Sequence, residues 1–176
     1  MNAATRVVLF AASAALALAG CAGYSWRPSV PPEMRTVFVP VFPSEGGVVR
    51  FGDEVSRQTL RELQREGTFR IAMAGDAAVE VQGTARTLSP KVVAYERRTG
   101  SRVRERELEA VATVSFIDKR AGRVLADGRR YRARATFAAG EDVHSGALGA
   151  SRRLAEELAR QIADDLVSWR FERRDP

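Results

Sequence analysis

Leu108-Glu-Ala-Val-Ala-Thr-Val-Ser-Phe116 and Arg130-Tyr-Arg-Ala-Arg-Ala-Thr-Phe137 decide the fold. In the first stretch, Leu108, Ala110, Ala112, Val114 and Phe116 take every second position. In the second, Tyr131, Ala133, Ala135 and Phe137 alternate with Arg130, Arg132 and Arg134. Successive side chains of a strand point to opposite faces, so each stretch reads as a strand with one apolar face. Asp118 to Gly122 read as the turn between them, which makes a long hairpin. A tight turn pairs positions that sum to about 241, placing Glu107 opposite Arg134 and Glu109 opposite Arg132; a bulge at Asp127-Gly128 changes that register.

Working outward, Thr36-Val-Phe-Val-Pro-Val-Phe42 is short, β-branched and aromatic, and reads as a strand. Pro40 donates no ladder hydrogen bond, which places this strand at an edge or a bulge. Ser44 to Gly47 read as a loop. Asp53 to Glu66 read as a helix with Val55, Leu60 and Leu63 on its apolar side. Asp53 and Glu54 favour its N-terminus, and Gly67 stops it. Phe69 to Met73 form a second short strand, and Gly75-Asp76 a turn. From Ala78 to Leu88, Val79, Val81, Gly83 and Ala85 alternate with Glu80, Gln82, Thr84 and Arg86, as in a half-buried strand. Residues 96–104 read as a polar, arginine-rich loop. The last element is a helix from about Leu148 to Trp169, striped by Leu154, Leu158, Ile162 and Leu166. One apolar face per element predicts an α+β fold. Its simplest form is a two-layer sandwich, with two helices packed on one face of a four- to five-stranded, mainly antiparallel sheet.

The chain has 176 residues, 45% hydrophobic and 28% charged, which suits one globular domain. Its first 20 residues are a separate object. Arg6 precedes the uncharged run Val7 to Ala19, too short to span a membrane and suited to an export signal. The run closes on Leu18-Ala19-Gly20-Cys21, which resembles the lipobox of bacterial lipoproteins. That resemblance implies cleavage before Cys21 and acylation of its thiol. Cys21 is the only cysteine, so an intramolecular disulfide or cysteine metal cluster is excluded. Several acyl chains anchor a protein firmly where one does not. Residues 21–33 then form a lipidated, proline-rich tether, 34–171 the folded domain and 172–176 a basic tail.

The net charge is +6, and only Lys91 and Lys119 among the basic residues are lysines. Arginine makes bidentate contacts to phosphate and carboxylate. An exported, lipid-anchored chain does not meet nucleic acid, so an anionic lipid or glycolipid is the better partner. His144, the sole histidine, sits near Glu141, Asp142 and Ser145 in a polar stretch, where a surface histidine is expected. Gly46-Gly47 lack a phosphate-loop context, and no nucleophile elbow or metal-ligand spacing appears. The expectation is a protein with no catalytic residue, no metal site and no cofactor beyond the covalent lipid.

Cys21-Ala-Gly-Tyr24, the spacer with Pro28, Pro31 and Pro32, and the Val39-Pro-Val-Phe42 strand resemble the opening of the lipopolysaccharide-assembly lipoprotein family LptE. Gly75-Asp-Ala-Ala-Val-Glu-Val-Gln-Gly83, Ile117-Asp118, Gly122-Arg-Val-Leu125 and a last helix ending in Trp169 continue the resemblance in order. Ala22 lengthens the family's Cys-Gly-Tyr by one residue, and Pro43-Ser44 stand where it often has Glu-Asn. The resemblance implies an outer-membrane protein, periplasm-facing or inside the lumen of the LptD β-barrel. There it acts as plug and assembly partner while lipopolysaccharide passes outward. Arg130, Arg132 and Arg134, with Arg86 and Lys91, are then candidate contacts for lipopolysaccharide phosphates, unless Glu107 and Glu109 neutralise the stripe. Lys119, Arg120 and Arg123 at the hairpin tip form a second, less neutralised candidate set. The alternative is an adaptor of another envelope machine, such as a peptidoglycan-synthase activator or secretion subunit. The short tether favours a partner in the same membrane: about twelve extended residues reach under ~40 Å.

Overall fold

The computed structural model describes residues 30–96, 102–138 and 143–171. The expected signal peptide, Cys21, most of the tether, the centre of the arginine-rich loop and the tail from 172 lie outside them. After a single 3-10 turn at Pro32–Met34, the elements are β1 (Thr36–Phe38), β2 (Ser44–Gly46), α1 (Phe51–Glu66), β3 (Arg70–Ile71) and β4 (Val79–Thr87). They continue with β5 (Lys91–Glu96), β6 (Arg102–Asp118), β7 (Arg123–Ala138) and α2 (Val143–Ser168).

The two-layer α+β architecture holds, with both helices on one face of the sheet. The sheet itself is larger than expected and mixed. Seven strands take part. β1 runs parallel to β3 and β4, and β2 parallel to β4. β6 pairs antiparallel with β4, β5 and β7. The parallel part arises because α1 carries the chain from β1 back to the start of β3, a crossover rather than a hairpin. The two strands absent from the sequence reading, β2 and β5, have physical reasons to hide. β2 is three exposed residues inside an expected loop, and β5 has bulges that break its alternation. β1 stops at Phe38, before Pro40. β6 starts at Arg102, inside the expected loop.

The alternation of β4, β6 and β7 builds the core. Val79, Val81, Ala85, Leu108, Ala110, Ala112, Val114, Phe116, Tyr131, Ala133 and Phe137 are buried against the helices. α1 contributes Phe51, Val55, Thr59 and Leu63 at four-residue spacing, and ends at Gly67, whose N–H donates to the Leu63 carbonyl at 3.2 Å. α2 contributes Leu154, Leu158, Ile162 and Leu166. It begins five residues before the expected start, and the backbone of His144 lies in its first turn rather than in a loop. Gly146 obscured that start. A methyl group there would sit 2.5 Å from Phe137 Cδ2, so the helix closes on the ring only because Gly146 has no side chain.

The expected hairpin register holds only near the turn, where Asp118 faces Arg123 and Ile117 faces Val124. Beyond it, Glu109 faces Arg134 and Glu107 faces Thr136, not Arg132 and Arg134. The cause is two one-residue irregularities in β7, one at Leu125 and one at Asp127-Gly128, with Gly128 at φ +57°. Ser115 locks the second: its hydroxyl donates to the Asp127 carboxylate at 2.8 Å and accepts the Gly128 N–H at 3.0 Å.

Candidate functional site

The helices cover one face of the sheet and leave the other open. The register sets what stands on that open face. One row crosses it as Glu45, Arg86, Val111 and Arg132, from β2 through β4 and β6 to β7. The next row is Thr84, Thr113 and Arg130. Val111 is only 9% exposed although no helix covers it, because its row neighbours are long arginine stems. Opposite Arg132 and Arg130, β6 offers Val111 and Thr113, which carry no charge. Among the described residues, neither arginine has a carboxylate within ion-pair distance.

The other sequence-chosen residues fall elsewhere. Arg134 pairs with Glu109 at 3.5 Å, and Lys91 stands opposite Glu107. The neutralisation expected for the whole stripe therefore reaches only its end, because the two register shifts together move each glutamate two places along. The hairpin tip corrects the sequence reading in the opposite direction. Lys119 pairs with Glu80 at 3.3 Å and lies 6.0 Å from the centre of the Phe38 ring. Arg123 pairs with Asp118 at 3.5 Å. Arg120 donates to the Glu33 carbonyl at 3.3 Å. Local charge counting overlooked these partners because Phe38, Glu80 and Glu33 are distant in sequence.

A further cluster ties α2 to β7 at the same end. Arg129 makes a two-pronged contact with Asp165, Nε to Oδ2 at 2.6 Å and Nη2 to Oδ1 at 3.0 Å, and stacks 5.6 Å from the Trp169 ring. The Tyr131 hydroxyl donates to the same carboxylate. Burial first, then this hydrogen bond, pushes the Tyr131 phenol well above its usual range. Tyr131 and then Asp165 raise Arg129 further above its own. Trp169 in turn meets Phe116 edge-on at 6.0 Å.

At the far end of the sheet lies a feature the sequence reading missed. A cavity of about 460 Å³ is lined by Val48, Val49, Leu88, Pro90, Leu108 and Leu148, among others. It draws on four separate segments, so no local pattern announced it. The one hint was the apolar pair Val48-Val49 directly after Gly46-Gly47. Among the described residues, no group of three His, Cys, Asp or Glu side chains could hold a metal ion, and no helix is long and apolar enough to cross a membrane.

A helix-backed sheet presenting unpaired guanidinium groups on its bare face has the form of a binding module for an anionic partner. The comparisons give that form a family. The family model for lipopolysaccharide-assembly, LptE, matches residues 34–168, and the chain belongs to that family. It is thereby an envelope lipoprotein with a role in lipopolysaccharide assembly. No curated protein matches the sequence. Among solved structures, a candidate lipoprotein of Caulobacter crescentus is similar at a TM-score of 0.52 and 19% identity, over 78% of this chain and 92% of that one. A minor lipoprotein of Acinetobacter baumannii is similar at 0.51 and 15%, over 77% and 94%. A candidate homolog of a neuraminyllactose-binding hemagglutinin from Helicobacter pylori is similar at 0.51 and 11%, over 84% and 94%. These likenesses concern the fold alone.

Proposed function

We propose that this protein is anchored in the outer membrane through acyl chains on Cys21, and that it partners and plugs an LptD-type β-barrel during lipopolysaccharide assembly. Its role there is binding and support, not catalysis. The observation that carries this reading is the row Arg86–Val111–Arg132, with Glu45 at its β2 end and Arg130 beside it, on the sheet face that no helix covers. A wide barrel lumen is polar, and a compact two-layer domain suits it. Guanidinium groups on a flat face suit phosphates and acidic sugars, or carboxylates of a barrel wall.

The test is a mild-detergent pull-down of the tagged, acylated protein from outer membranes, followed by mass spectrometry. The expected companion is a large β-barrel in stoichiometric amount. Recovery of a peptidoglycan synthase, or only of further copies of this chain, overturns the reading.

A further inference from the structure

β7 is an edge strand. β6 pairs along one side of it, and among the described residues no strand pairs along the other. Beyond Gly128 the ladder with β6 runs unbroken from Arg129 to Ala138, which leaves a regular free edge of about 30 Å. Such an edge is a template for a further strand, and folded proteins ordinarily shorten, bulge or cover it. No proline interrupts this one.

Two side chains of α2 show which backbone groups face outward. Arg153 Nη2 donates to the Thr136 carbonyl at 2.9 Å, and Gln161 Nε2 to the Arg132 carbonyl at 3.3 Å. A helix lying over the sheet reaches round to carbonyls that point away from β6, and the N–H of a strand residue points the same way as its C=O. The outward set is therefore Arg130, Arg132, Arg134 and Thr136. Among the described residues, their N–H groups have no acceptor outside the sheet. The edge is thus closed at two carbonyls by side chains that can swing aside, and open at its donors.

Charge decides the occupant. Arg130, Arg132 and Arg153 have no carboxylate within ion-pair distance among the described residues, and Arg134 has only Glu109, at 3.5 Å. A second copy adding its own β7 antiparallel sets arginine opposite arginine, which destabilises a ladder. A closed barrel wall has no free edge to offer. A strand with carboxylates at alternate positions sets one opposite each arginine. We propose that the outer edge of β7 takes up an extended acidic segment of a partner protein as an added strand. Backbone hydrogen bonds to Arg130, Arg132, Arg134 and Thr136 give affinity, and glutamate or aspartate opposite Arg130 and Arg132 selects the partner. The inference does not depend on the barrel partnership, because an edge is read through its backbone.

The test uses the full acylated chain in detergent and a short labelled peptide in which glutamate alternates with valine or threonine. Fluorescence anisotropy is expected to show binding. At saturating peptide, amide hydrogen exchange is expected to slow about tenfold or more at Arg130, Arg132, Arg134 and Thr136. Methylating the peptide nitrogens that face β7 removes its donors, keeps its charge and is expected to abolish both effects. A peptide with lysine for glutamate is expected not to bind. Thr136→Pro, at an exposed residue, removes one outward N–H without changing charge and is expected to weaken binding about tenfold. The methylated peptide makes the same test with the chain unaltered. Absence of binding overturns the proposal. So does equal binding of the methylated peptide, which reduces the edge to a patch of positive charge. So does slow exchange at the four amides before any peptide is added, with sedimentation as a dimer, which makes a second copy the occupant.

Discussion

Arg129 and Arg130 are neighbours in one strand and share almost nothing else. Arg129 faces α2, where Asp165 grips it at 2.6 and 3.0 Å and Trp169 lies beneath it. Arg130 faces the other way, toward Thr113, with no carboxylate partner among the described residues. The contrast extends over the molecule. At the tether end, basic side chains are used to hold elements together: Lys119 on Glu80, Arg123 on Asp118, Arg120 on the Glu33 carbonyl. On the open face, Arg130 and Arg132 have no carboxylate within ion-pair distance among the described residues, whereas Arg50 and Arg57 beside the far cavity bridge Asp53 and Glu54. The same residue type is structural where a carboxylate or carbonyl is within reach, and available for a ligand where none is.

The largest effects should come from the tether end. Phe116 is fully buried and meets Trp169 edge-on, so Phe116→Ala is expected to lower stability by about 3–5 kcal/mol in urea unfolding. Val49→Asn at the far end should change it by less than about 0.5 kcal/mol. Equal losses at the two ends would erase the contrast. Next comes Asp165→Ala, which strands the half-buried Tyr131 hydroxyl and frees Arg129. A loss of about 2 kcal/mol is expected, the usual range for an orphaned buried polar group.

The same cluster has a pH signature. The folded phenol of Tyr131 titrates above its unfolded value, because burial and Asp165 both favour the protonated form. Its contribution is therefore complete below the ordinary phenol value of about 10, and is lost as pH rises past it toward the raised value. Unfolding midpoints should hold level up to about pH 9 and then fall. Tyr131→Phe should remove that part of the fall; an unchanged alkaline profile in the variant would detach Tyr131 from it.

Where sequence patterning is strictly local, it was sufficient. The alternation in β4, β6 and β7 put the right residues on the helix-covered face, and the spacing of α1 located that helix to within two residues. It failed where a distant atom decides. The hairpin register turns on Ser115 meeting Asp127 and Gly128 across the ladder. The sequence marks Asp127-Gly128 as a place for a bulge, but the tight-turn register without it gives Arg132 a glutamate neighbour that it does not have. β2 exists because β4 offers it an edge, not because Ser44-Glu-Gly46 favours a strand. Membership of the open arginine row is thus legible from alternation alone, whereas which of its members remain unpaired is a tertiary fact.

A smaller effect should separate strain from packing at the far end. A left-handed backbone costs an L-residue about 1–2 kcal/mol, and glycine removes that term while losing roughly 0.5–1 kcal/mol of chain entropy. Arg50 also bridges Asp53 at 2.8 Å, but on an exposed surface where such pairs contribute little. Arg50→Gly is therefore expected to raise stability by about 0.5 kcal/mol, read from the urea midpoint. A clear loss would mean that Arg50 is there to hold the fold, as Arg129 is.

The smallest change in stability should accompany the largest change in binding. Arg130→Glu with Arg132→Glu alters two exposed side chains that make no ion pair among the described residues, so the unfolding midpoint should move by less than about 0.5 kcal/mol. In the proposed function their guanidinium groups face an anionic partner across an open sheet, so reversal would replace attraction by repulsion. Recovery of the barrel in the pull-down should collapse, and the remainder should become less sensitive to salt, since screening acts on the charges removed. The Arg129→Glu counterpart should do the reverse, disturbing the fold first by setting two carboxylates together at Asp165. If the double reversal leaves recovery unchanged, the open arginines are solvated surface, and the contrast between the two sides of β7 is one of packing without consequence for binding.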